Sequence, residues 1–288
     1  MSKKTGACLL KQYITDNNFD NNFDIKTVEI GIDEVGRGPL FGRVYSACVV
    51  LPKKEDFKYE IIKDSKKFSS KKKMIEVYNY LIENLEYYCV SYVDEKYIDK
   101  NNILNASYQA MHMTINGLLE KHKSSINISN CLLMVDGNNF KPYCRYVNNG
   151  KQDGIVQIQH VTIEGGDNKY CNIAAASILA KVEHDKYIEE LCKLYPKLQT
   201  LYDLNNNKGY GTRKHIDGIK KYGISPWHRV SFATCKGQPI NPKEYYLDTP
   251  VTPDNPDNPD NPDNLDNLDN PDTLDTPVSN SDEPEDAV

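Results

Sequence analysis

Residues 31–42 read Gly-Ile-Asp-Glu-Val-Gly-Arg-Gly-Pro-Leu-Phe-Gly, with two adjacent carboxylates and a cluster of glycines between apolar runs. Both flanking runs, Val28 to Val35 and Val44 to Leu51, are rich in β-branched residues. The pattern predicts strand, tight turn, strand, with Asp33 and Glu34 at the end of a buried strand. Charge is costly there unless something neutralises it, most simply a hydrated divalent cation. The plainer alternative turns Glu34 to solvent, since strand neighbours face opposite sides, and leaves Asp33 to bind turn amides.

The rest of the chain alternates strand and helix signals. Lys63 to Lys73 is a polar loop running into a helix that Ser69 or Ser70 can cap. Its five lysines after Ser65 suit either a solvated surface or phosphate contact. Met74 to Leu85 and Ile103 to His122 have helical periodicity, and Tyr87 to Val93 reads as a strand. Cys131 to Val135 is a continuous apolar run, the mark of a strand covered on both faces, and it stops at Asp136-Gly137-Asn138. A strand over Val156 to Ile163 leads through Glu164-Gly165-Gly166 to Asp167 and a helix from about Lys169 to Tyr195, which Pro196 closes. Asp167 also suits a helix N-cap. The loop Asn207 to Thr212 places Tyr210 between two glycines, fit to stack on a sugar or base or simply to cover a turn. A helix over Arg213 to Tyr222 follows, and His228 and Arg229 are expected to hold the C-terminal segment.

Asp33, Glu34, Asp136 and Asp167 thus all fall at strand ends or at the start of the next helix, where the sites of α/β sheets form. Oxygen ligands without His or Cys suit Mg²⁺ or Mn²⁺. Two such ions about 4 Å apart would serve phosphodiester cleavage.

The charge distribution fits a polyanionic substrate. The chain has 35 Lys and Arg against 41 Asp and Glu, but 13 of the acidic residues and none of the basic ones lie in 248–288. The other 28 acids leave residues 1–247 with a formal charge of +7. Residues 254–271 repeat Asp-Asn-Pro or Asp-Asn-Leu, with too few apolar groups to pack a core, so residues 239–288 are expected to be a disordered acidic tail and 1–27 a polar lead-in. Eight cysteines without a CxxC pair read as reduced core residues in a reducing, cytoplasmic compartment. No apolar run approaches a membrane span, and Met1 to Thr15 has too short an apolar centre for a secretory signal.

The ordered blocks Asp33 to Gly42, Asp64-Ser65-Lys66-Lys67, Val135-Asp136-Gly137, Gly166-Asp167-Asn168-Lys169, Ile173 to Val182, Lys208 to Thr212 and His228 to Phe232 resemble ribonuclease HII over about residues 28 to 235. The resemblance implies an RNase H-like α/β fold, with a mixed five-stranded sheet flanked by helices and a C-terminal helical extension, here as a catalytic domain of residues 28–238. It implies cleavage of RNA in RNA/DNA hybrids, and incision of duplex DNA 5′ of an embedded ribonucleotide, leaving 3′-hydroxyl and 5′-phosphate ends. It makes Asp33, Glu34, Asp136 and Asp167 the ligands of two Mg²⁺ or Mn²⁺ ions. Gly36, Arg37 and Gly38 would contact the ribose 2′-OH and the junction phosphate, Tyr210 would stack on the following deoxyribose, and Lys66, with Lys67, would hold backbone phosphate. A monomer is expected.

One departure is Gly166, where the family often has Lys. Asp185, and after it Asp153, are reserve candidates for an acid. The sister group, ribonuclease HIII, usually lacks the Gly-Arg-Gly form and places Glu at the fourth acid. Gln238-Pro239-Ile240 with Tyr245-Tyr246 resembles a sliding-clamp peptide with one residue too many, so clamp binding is not expected.

Overall fold

The computed structural model describes residues 10–14, 27–148 and 153–247. A five-stranded sheet forms its centre, in the order β3-β2-β1-β4-β7. Strand β1 (Val28–Val35) pairs antiparallel with β2 (Val44–Val50), which pairs antiparallel with β3 (Tyr87–Val93). On its other side β1 runs parallel to β4 (Cys131–Asp136), and β4 parallel to β7 (Gln159–Ile163). The sheet is therefore mixed, as expected.

Side-chain alternation along these strands builds two cores. Ile30, Ile32, Cys48, Leu133 and Val135 pack with Met111, Ile115 and Leu118 of α2 (Glu95–Lys121). Ala47 and Val49 face the other way, onto Leu81 of α1 (Lys71–Asn84) and the alanine run of α3 (Cys171–Leu194). That run brings α3 close to the sheet, and at Gly31 a Cβ would lie only 2.4 Å from the backbone carbon of Asn172. Asp33, two residues on, faces the same α3 side. Helices α4 (Pro196–Tyr202), α5 (Leu204–Asn207) and α6 (Arg213–Tyr222) form the C-terminal extension.

Several boundaries differ from the sequence reading. The expected strand Val156 to Ile163 is two strands, because the chain changes partners at the buried Ile158: β6 (Asp153–Gln157) pairs with β5 (Cys144–Asn148) in a separate ribbon, and only β7 joins the sheet. The expected helix from Ile103 is present, and α2 carries a further helical stretch from Glu95 ahead of it, set off by the break at Asn102. Asp94 caps it by accepting from Tyr97 N–H at 2.7 Å, and the helix is kinked at Asn102, whose φ is 65°. Pro196 opens α4 as well as ending α3.

The lead-in and tail boundaries shift too. In the 1–27 segment, Lys11 exchanges backbone hydrogen bonds with Lys169 and Cys171, each 2.9 Å, and Ile14 is buried. The fold also runs past 238: Ile224 bridges Ile240, and Tyr246 is fully buried with its hydroxyl 3.0 Å from that of Tyr202. The Asp-Asn-Pro repeat and residues 1–9 lie outside the described residues. The seven described cysteines are free, but Cys89 is half-buried and Cys144 exposed rather than in the core. Among the described residues no helix is long and apolar enough to cross a membrane.

Candidate active site

The ends of β1 and β4 and the turn before α3 bring the four predicted acids into one electrostatic neighbourhood. Asp33 is 5% exposed and Asp167 3%. Burial raises the Asp33 carboxyl well above its ordinary value, with Glu34 and Asp136 adding repulsion, while Ser177 and the Glu34 backbone oppose the shift. Burial likewise pushes Glu34 up to about 7, against the pull of Arg37, and Asp136 repels it. Asp167 is raised by burial, then by Asp136 and Asp64.

Two hydrogen bonds fix the geometry. Asp33 Oδ1 accepts from Glu34 N–H at 2.7 Å, so the turn-amide reading holds for Asp33 without removing it from the cluster. Asp136 Oδ1 accepts from Gly166 N–H at 2.6 Å. Gly166 suits this close approach, since a Cβ there would lie 2.6 Å from Ile173 Cδ1 and 3.3 Å from the Asp136 oxygen. Asp167 does not cap α3. It sits in a single 3-10 turn, Gly166–Asn168, and the N-cap of α3 is Tyr170.

Few cations balance these acids. Arg37 Nη1 meets Glu34 Oε1 at 3.1 Å, and Lys66 Nζ lies 3.7 Å from Asp167 Oδ2. Lys66 is 84% exposed at its side chain yet senses Asp167, Asp64, Asp33 and Asp136, which outweigh the opposing effect of its partial burial and raise its pKa. Among the described residues no three His, Cys, Asp or Glu side chains stand close enough together to hold a metal ion as they are. The donor set, all oxygen, with Asp33 and Asp167 buried and Glu34 and Asp136 half-buried, suits a hard divalent cation.

The Gly-Arg-Gly turn and Tyr210 meet beside the acids. Gly36 has φ of 99°, in the left-handed region. A Cβ on Gly38 would lie 3.2 Å from Tyr210 Cε1, and Leu40 N–H donates to the Gly209 carbonyl at 2.8 Å. Tyr210 is 43% exposed, so its ring is open to a ligand.

Arg229 does more than anchor the C-terminal segment. Fully buried, it donates from Nε to the Gly42 carbonyl (2.8 Å), from Nη1 to Arg37 (3.1 Å) and Pro39 (2.8 Å), and from Nη2 to Gly36 (2.6 Å) and Arg43 (3.0 Å). All five guanidinium donors hold backbone carbonyls of the turn.

Sequence reasoning passed over two further members of the site. Asp64 is buried, accepts from Lys66 N–H at 2.9 Å and repels Asp167; its place before Ser-Lys-Lys was the signal. Ser177, inside the small-residue run of α3, bonds Asp33 and lies 3.2 Å from the Ser65 hydroxyl. The reserve acids are elsewhere. Asp153 opens the exposed β6, where the Tyr146 hydroxyl donates to it. Asp185 lines a cleft of about 390 Å³ with Ser65, Lys71, Glu189 and Lys208. Burial would raise it, but bonds from His184 and Lys181 hold it below the usual carboxylate range.

A mixed sheet whose strand ends gather buried carboxylates beside a glycine turn defines a nuclease of the RNase H-like class. The model of the family described as Ribonuclease HII matches residues 30–235. The Ribonuclease HII of Phocaeicola vulgatus is 41% identical over 206 residues, 71% of this chain and 89% of that relative. The crystal structure of the ribonuclease H2 from Pyrococcus horikoshii OT3 shares the fold, with a TM-score of 0.53 and 24% identity over 72% of this chain and 94% of that one. Bst-RNase HIII in complex with Mn²⁺ gives 0.51 at 16% identity, over 73% and 68%. The chain belongs to the ribonuclease HII family, ribonuclease H endonucleases that cleave the RNA strand of RNA/DNA hybrids.

Proposed function

We propose that this chain hydrolyses the RNA strand of RNA/DNA hybrids and also nicks duplex DNA 5′ of a single embedded ribonucleotide, leaving 3′-hydroxyl and 5′-phosphate ends. Asp33, Glu34, Asp136 and Asp167 would hold two Mg²⁺ or Mn²⁺ ions. The observation that carries this reading is the gathering of mutually repelling carboxylates, Asp33 and Asp167 among them buried, with Arg37 and Lys66 as the cations that oppose them among the described residues. A relative of the same fold is described in complex with Mn²⁺, which agrees. When bound, such ions activate a water and stabilise the leaving oxygen.

The remaining roles belong to the chain itself. The Arg229 bonds turn carbonyls of residues 36, 37 and 39 inward and steady the backbone that would meet the ribose 2′-OH, the group that tells RNA from DNA. Arg37 orients Glu34 and, with its side chain half-exposed, would contact the junction phosphate. Tyr210, braced against Gly38, offers an apolar face to the next sugar, where a 2′-hydroxyl would be desolvated without a partner. Lys66 supplies positive charge for a backbone phosphate. All of these groups come from one chain, so a monomer suffices.

The test is cleavage of a labelled DNA duplex carrying one ribonucleotide, with Mg²⁺ or Mn²⁺ and an EDTA control, beside an all-RNA/DNA hybrid. Metal-dependent nicking 5′ of the ribonucleotide is expected. Cleavage of the long hybrid alone would refute the junction reading.

A further inference from the structure

Behind Tyr210 two buried histidines meet ring to ring. His215 Nε2 lies 3.0 Å from His228 Nε2, His215 Nδ1 lies 3.0 Å from the Tyr210 carbonyl, and His228 Nδ1 lies 3.0 Å from the Ser225 amide and 2.7 Å from its hydroxyl. Both ends are unambiguous. A carbonyl only accepts, so His215 Nδ1 carries the proton; a backbone N–H only donates, so His228 Nδ1 is bare. The middle contact must then run from His228 Nε2–H to the lone pair of His215 Nε2. No other arrangement fits: a proton added to His215 would face the His228 N–H, and one added to His228 would face the Ser225 amide.

Burial disfavours a charge on either ring of the pair, and at His228 the neighbouring His215 adds to that effect. Around the pair stand Tyr202, whose ring lies 4.8 Å from that of His228, and Phe41 at 5.1 Å. The Tyr202 hydroxyl is engaged with Gly223 and Tyr246.

We infer that His215 and His228 form a one-way hydrogen-bond relay from Ser225 to the Tyr210 carbonyl, which sets the position of the Tyr210 ring and thereby the selectivity for the sugar after the scissile ribonucleotide. The inference rests on the stacking role proposed for Tyr210. His215 and His228 are positioning residues, acting through the Tyr210 carbonyl. The relay also links the Tyr210 loop to the Gly-Arg-Gly turn, because His228 pairs with Phe41 as a β-bridge while its neighbour Arg229 holds the turn carbonyls.

The full chain is tested in two ways. Two-bond ¹H–¹⁵N spectra of the ¹⁵N-histidine-labelled protein at pH 7 should show His215 protonated at Nδ1 and His228 at Nε2, both neutral. The opposite tautomer of either ring, or a charged ring, would overturn the relay. In cleavage assays, His215→Phe should lower the ratio of kcat/KM on the single-ribonucleotide duplex to that on the long hybrid by about tenfold, as is expected of Tyr210→Ala. His215→Asn, whose amide can still donate to the Tyr210 carbonyl, should restore most of it. An unaltered ratio in His215→Phe where Tyr210→Ala lowers it would overturn the relay. An unaltered ratio in Tyr210→Ala itself would instead refute the stacking role, and the tautomer spectrum would still decide whether the relay exists.

Discussion

The Tyr210 ring rests against Gly38, so that a single added carbon at residue 38 would stand 3.2 Å from Cε1. The backbone of Gly38 lies outside the left-handed region, so alanine is sterically admissible there apart from that ring. Gly38→Ala should therefore fold normally and push the ring aside by a few tenths of an ångström. We expect about a tenfold loss of kcat/KM on the single-ribonucleotide duplex and a smaller loss on long hybrids. Equal losses on both substrates would mean that the ring does not read the junction.

Asp136 is held by one backbone amide and repels Asp33, Glu34 and Asp167. Asp136→Asn keeps the shape and removes the charge. Cleavage should fall by at least about a hundredfold, the scale seen when one charge-stabilising group is deleted from an active site. Hybrid binding, measured by fluorescence anisotropy in EDTA, should survive. Retained activity would refute the metal-ligand assignment.

The acids also make stability depend on pH in a direction opposite to the usual one. Asp33, Glu34 and Asp167 all have raised pKa values in the metal-free fold, so the native state holds more protons than the unfolded chain. Their stabilising contribution is full below the ordinary carboxylate value near 4.5 and is lost as pH rises through the Glu34 value of about 7. In EDTA, thermal scans should show this protein losing stability between pH 5.5 and pH 8, with Asp33→Asn flattening the loss. Mg²⁺ should raise Tm by about 3 °C or more at pH 8 and by less at pH 5.5. Equal shifts at the two pH values would contradict the buried, proton-competing site.

Arg229 is a buried cation whose five donors all go to carbonyls, with Glu95 and Asp99 as the opposite charges nearby. Arg229→Met would strand five acceptors and should cost roughly 3 kcal/mol or more in urea unfolding. Arg229→Lys can supply at most three donors and should fall between wild type and Arg229→Met.

Much of this site was legible before the structure because its chemistry is local. The turn from Asp33 to Gly42 declares itself through glycines and paired acids, and Asp136 through an apolar run that ends abruptly. Exposed elements were harder. The ribbon of β5 and β6 has few buried side chains, so no period set it apart from β7. The first turns of α2 are polar, and only the Asp94 cap marks where it begins. Arg229 illustrates the deeper limit: its partners are carbonyls 186 to 193 residues away in sequence, and main-chain acceptors leave no mark on the residues that bear them.

That separation has a consequence for how the enzyme comes into being. A nascent chain halted between residues 167 and 228 already carries all four carboxylates, yet its Gly-Arg-Gly turn has no Arg229 guanidinium to fold around. Synthesis must therefore run through residue 229, nearly to the end of the described body, before that turn can take its folded shape, and shorter products would carry the acids beside an unsupported turn.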